Sequence, residues 1–151
     1  MALCVLAASH SYGLTVDELA RYLGVTSIST TVALPSESFT TEIWTIDDGA
    51  PGKRLISGIP ARNRYPERGL TIMIGDENGK YKVVLAYGGG VTMNTLTSIP
   101  IFKTTVSGDF PKSIVEGDFP LFGEPKSANG GSSREISTFQ QGFLLRIKKN
   151  G

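Results

Sequence analysis

The densest group of side chains able to hold a charged partner is Arg62, Arg64, Tyr65 and Arg68, in a stretch that also carries Pro60 and Pro66. A guanidinium presents a planar fork of donors that matches phosphate or carboxylate, and an exposed tyrosine ring stacks on a base. The prolines favour an extended, stiff segment, which lowers the cost of ordering it on binding. These four residues are the candidates for binding an anion or a nucleic acid. The plainer expectation is a solvated connector whose arginines pair with Asp47 or Asp48.

A second group surrounds a short tandem, Gly108-Asp109-Phe110-Pro111 and Gly117-Asp118-Phe119-Pro120. Two copies are too few for a solenoid. Each reads as a turn followed by an extended Phe-Pro step. Asp109, Glu116, Asp118 and Glu124 could gather around a hard cation or act as an acid/base pair, but they match no known ligand spacing. Phe110, Phe119 and Phe122 could instead form an apolar patch for a partner or another copy of the chain. The patch is the stronger of these two functional readings. Two similar turns around a short strand at Ser113–Val115 account for the same residues without either.

Other chemistry is poorly supported. Cys4 and His10 each stand alone, so a disulfide framework, a Cys-rich zinc site and a histidine-based triad find no second residue. Their spacing of six does not place them on one helical face. Gly88-Gly89-Gly90-Val91 lacks the Gly-Lys-Ser/Thr ending of a phosphate loop. Asp76-Glu77-Asn78-Gly79, laid on a calcium loop by its glycine, would put Ile74 and Leu85 at ligand positions, so it reads as a hairpin turn. No catalytic residue, metal ligand or cofactor is assigned.

The elements that must position these groups divide the chain in two. Residues 1–26 read as a helical segment, with Ala2, Leu3, Val5 and Leu6 on one face. Thr15-Val16-Asp17-Glu18 then opens a second short helix in the manner of a capping box. Thr15 to Val25 resembles the front half of the helix-turn-helix of bacterial regulators, which implies a following helix that reads bases. The residues that follow, Thr26 to Leu34, hold no Arg, Lys, Asn or Gln and are strongly β-branched, so a helical cap on a sheet is the expectation.

Residues 27–151 read as a β body. Ile28–Leu34, Phe39–Ile46, Lys53–Ile59, Leu70–Ile74, Tyr81–Tyr87, Val91–Ser98 and Ile101–Val106 have the β-branched and aromatic content of strands. Asp47 to Gly52 and Asp76 to Gly79 read as turns, and Gly123 to Ser133 as a loop. In the last strand Phe143, Leu145 and Ile147 alternate with Leu144, Arg146 and Lys148, one face for a core and one mixed or exposed.

The expected fold is therefore α+β and mostly β, in one domain. A short N-terminal helix pair would pack on an antiparallel sandwich or a partly closed barrel. The length of 151 residues suits one domain, and 40% hydrophobic with 19% charged residues suits a globular chain. A formal charge of +1 gives no general attraction to nucleic acid. No signal peptide or membrane span is recognised. The leading expectation is a non-enzymatic structural or interaction protein, presenting loops and an apolar patch to a protein partner or to copies of itself. Nucleic-acid or anion binding through the arginine loop, and a small carboxylate-centred enzyme, are the alternatives.

Overall fold

A computed structural model describes residues 25–29, 39–58, 70–87, 91–108, 115–127 and 135–150. Nine strands account for most of them: β1 (Val25–Ser29), β2 (Phe39–Asp47), β3 (Ala50–Ser57), β4 (Leu70–Glu77), β5 (Lys80–Tyr87), β6 (Val91–Pro100), β7 (Val106–Ser107), β8 (Gly117–Pro125) and β9 (Phe139–Lys149). They form two antiparallel sheets, of four strands in the order β1-β4-β5-β6 and of five in the order β3-β2-β9-β8-β7. The only helical turn among the described residues is a 3-10 turn at Ile136–Thr138. No helix among them is long and apolar enough to cross a membrane.

This corrects the α+β expectation: the described chain is a β structure of two sheets. The expected helix pair lies almost wholly outside the described residues. Its last positions, Val25 and Thr26, are instead paired with Gly75 and Ile74 as the start of β1. β-Branched residues at 25, 26 and 28 suit a pleated surface better than a helix end. Further boundaries shift, and Ala50–Gly52 open β3 instead of completing a turn. The second tandem copy, Gly117 to Pro120, is extended chain at the start of β8, and Gly123 to Pro125 complete that strand instead of opening a loop. Of Ile101–Val106 only Val106 is in a strand, and residues 101–105 carry the chain from one sheet to the other.

Two hairpins turn where positive φ is required. Asp48 and Gly49 (φ 47° and 80°) join β2 to β3, and Asn78 and Gly79 (φ 57° and 76°) join β4 to β5. Both central residues being left-handed matches the right-handed twist of the flanking strands. The Asp76 carboxylate accepts the Gly79 N–H at 2.8 Å and fixes the second turn.

The two sheets face each other across one core. Leu70, Ile72 and Ile74 of β4 with Tyr81, Val83 and Leu85 of β5 meet Ile43 of β2, Leu121 and Phe122 of β8, and Phe143, Leu145 and Ile147 of β9. Period-two alternation puts most of these side chains inward, and an irregularity in the β8–β9 register between Pro120 and Phe122 brings the adjacent Leu121 and Phe122 into the same core. A smaller apolar cluster sits on the other side of the five-stranded sheet, where Ile46, Phe139 and Leu144 are covered by Trp44, Val106 and Ile136. β3 and β6, the edges of the two sheets on one side, lie close together without hydrogen-bonding as neighbours.

Candidate interaction surfaces

The outward positions of the five-stranded sheet carry a charged lattice that spans four strands. Register places Glu42 of β2 opposite Arg146 of β9, Arg146 opposite Asp118 of β8, and Trp44 of β2 opposite Arg54 of β3. Cross-strand neighbours on one face touch directly, so long side chains at these positions pair. The Glu42 side chain is only 5% exposed and is surrounded by donors. Trp44 Nε1–H donates to it at 2.8 Å and Arg54 at 3.2 Å, and Lys148 Nζ lies 3.2 Å away. Burial is the largest influence on Glu42 and pushes its pKa up. The hydrogen bonds from Trp44, Lys148 and Arg54, with the Lys148 charge, together outweigh it and hold the carboxyl below its ordinary value.

Arg146 completes the lattice. Its Nε and one terminal nitrogen each donate to Asp118 at 2.6 Å, a fork-to-fork pair, and its guanidinium carbon lies 4.5 Å from the Trp44 ring centroid. The Asp118 carboxylate raises the Arg146 pKa further, against the opposing effect of burial. Chemically, this face fixes charge in place. A general base works best with a pKa near the working pH, and Glu42 is shifted away from neutrality. The lattice ties β3, β2, β9 and β8 together and presents a rigid face of arginine, lysine and tryptophan.

The expected site residues are distributed differently from the sequence reading. Arg62, Arg64, Tyr65 and Arg68 lie outside the described residues, as do Phe110, Asp109, Cys4, His10 and the three glycines at 88–90. Phe122 is 6% exposed and belongs to the core, and Phe119 is partly buried against it. These two rings therefore hold the sheets together. Of the carboxylates, Glu116 is exposed, Asp118 is committed to Arg146, and Glu124 lies half-buried at the far end of β8. Among the described residues no three Asp, Glu, His or Cys side chains converge in a way that could hold a metal ion.

The sheet edges differ sharply from one another. β3 is guarded by Pro51, Lys53 and Arg54, and its register with β2 is broken by irregularities. β7 is two residues long. Charge, proline, bulges and brevity are the usual means of preventing edge-to-edge pairing. β6 has ten residues, Val-Thr-Met-Asn-Thr-Leu-Thr-Ser-Ile-Pro, and not one is charged. Val91–Leu96 pair regularly with Tyr87–Lys82 of β5, and the register shifts only beyond Leu96. Among the described residues no strand hydrogen-bonds to the other side of β6. Thr92, Asn94 and Leu96 are exposed, with Leu96 at 51%. Sequence reading found the strand but not the edge. The available signal was the absence of charge over ten residues, and it becomes informative only once the strand order is known.

No family model, curated protein or solved structure matches the chain.

Proposed function

We propose that this chain is an interaction protein that receives an extended strand along the β6 edge of its four-stranded sheet. The observation that carries this reading is the edge itself: among the described residues β6 is a ten-residue uncharged strand, regular over Val91–Leu96 and with no strand on its outer side, whereas the β3 and β7 edges are blunted and the β1 edge is only five residues long. Strand addition takes its affinity from main-chain hydrogen bonds and its selectivity from alternate side chains. Thr92, Asn94 and Leu96 on one face of β6, with Met93 and Thr95 on the other, would supply that selectivity.

The test uses a fluorescein-labelled peptide of alternating threonine and valine, ended by lysine for solubility. Fluorescence anisotropy on the full chain is expected to show saturable binding, weakened at least about tenfold in Asn94→Lys, which adds the kind of charge that guards natural edges. Equal binding by the variant, or none by either protein, overturns the reading.

A further inference from the structure

We infer that the occupant of the β6 edge is a second copy of this chain, paired antiparallel about a twofold axis so that two four-stranded sheets join into one of eight. This rests on the strand-addition reading above and goes further by naming the partner. An isologous contact needs a surface complementary to itself, and it closes at two subunits. β6 meets that condition because it brings no charge against its own copy. β3 is the poorer choice, since Lys53, Arg54 and the irregular register of its pairing with β2 guard that edge.

The register follows from where β6 is regular. A twofold axis perpendicular to the sheet keeps inner residues opposite inner and outer opposite outer. Centring it on Asn94 uses the regularly paired stretch Val91–Leu96 and avoids most of the irregular end. Thr92 then lies opposite Leu96 of the second copy on the outer face, and Met93 opposite its Thr95 on the inner face. Leu96, half exposed in the single chain, gains cover on both sides of the axis. The outer face continues on β5 through Ala86 and Val84, opposite Thr92 and Asn94, to Lys82, which lies opposite Leu96 and is paired with Glu77. One strand pair buries less than the roughly 1,200 Å² of stable complexes, so the association is expected to be weak and reversible.

Sedimentation equilibrium of the full chain, followed up to about 1 mM so that weak pairing is visible, tests the inference. A reversible monomer–dimer equilibrium is expected. Leu96→Lys and Asn94→Lys should each raise its dissociation constant at least about tenfold while leaving the melting temperature of the dilute protein within a few degrees, since both side chains are exposed. A chain that stays monomeric at the highest concentration, or a dimer indifferent to both substitutions, overturns it. The two levels of the reading fail separately. A monomer that still binds the threonine–valine peptide sinks self-pairing alone, whereas a dimer indifferent to both substitutions, in a chain that does not bind the peptide, sinks both.

Discussion

Glu42 shows how a single side chain gains and loses its place in a sheet. A carboxylate 5% exposed would normally be neutralised by burial, yet three donors from three strands keep it charged. Its folded pKa lies below the ordinary glutamate value, so on acidification the unfolded chain takes up the proton first. The contribution to stability is therefore complete above about pH 4.3, the unfolded value, and is lost as pH falls through the lower folded value. Glu42→Gln keeps the shape but turns an amide N–H₂ toward cations and removes the charge. It is expected to cost about 1–3 kcal/mol at pH 7, with a narrower gap to the parent at pH 3, below the unfolded value. Urea unfolding at the two pH values measures this, and a gap that does not change with pH would show that ionisation of Glu42 contributes nothing.

At the scale of elements, the two hairpin turns have the same backbone and different surroundings. A Cβ at Gly79 would meet nothing within 4 Å, so Gly79→Ala should cost only the left-handed strain of about 1–2 kcal/mol. At Gly49 the same Cβ would lie 2.8 Å from the Ser137 carbonyl oxygen and 3.0 Å from its Cα, backbone atoms that cannot swing away. Gly49→Ala should thus be the more damaging by at least about 1 kcal/mol, and parallel denaturant titrations of the two variants decide it. Equal costs would mean that the 3-10 turn carrying Ser137 yields freely. The turns were legible in the sequence because Asp-Gly and Asn-Gly are local signals, and the strands because threonine, valine and isoleucine recur. The β1 strand was partly hidden because Val25 and Thr26 adjoin a helix-like pattern, and their pairing partners, Gly75 and Ile74, are remote. The lattice was invisible for a stronger reason: Glu42 meets Lys148, and Asp118 meets Arg146 28 positions away, only through strand order. Phe119 and Phe122 misled because an aromatic in a turn-like stretch looks exposed until the stretch is known to be a strand with a buried side.

On the scale of the whole molecule, what joins the sheets is a cluster of four rings. Tyr81 from the four-stranded sheet packs against Phe122 and Phe143 of the five-stranded sheet at 5.8 and 5.2 Å between centroids, both edge-on. Phe102, on the segment crossing between sheets, lies 4.8 Å from Tyr81, and its backbone N–H donates to the tyrosine oxygen at 3.0 Å. The crossing chain is thus pinned to the core by one hydrogen bond as well as by packing. Phe143→Ala should cost about 3–5 kcal/mol by opening a cavity between the sheets. Tyr81→Phe should cost about 1–3 kcal/mol, because the ring stays and the buried Phe102 N–H loses its acceptor. The tyrosine also gives the fold an alkaline limit. Burial, with the charges of Glu124 and Asp76, pushes its pKa above the ordinary value despite the Phe102 bond, so the folded state resists ionisation. Stability supplied by neutral Tyr81 is present below about pH 10, the unfolded value, and is lost as pH rises toward the higher folded value. Tyr81→Phe has no such proton to release. Its disadvantage against the parent protein should therefore shrink between pH 9 and 11 in thermal melts, and a disadvantage that stays constant would place the hydroxyl in water instead of between the sheets.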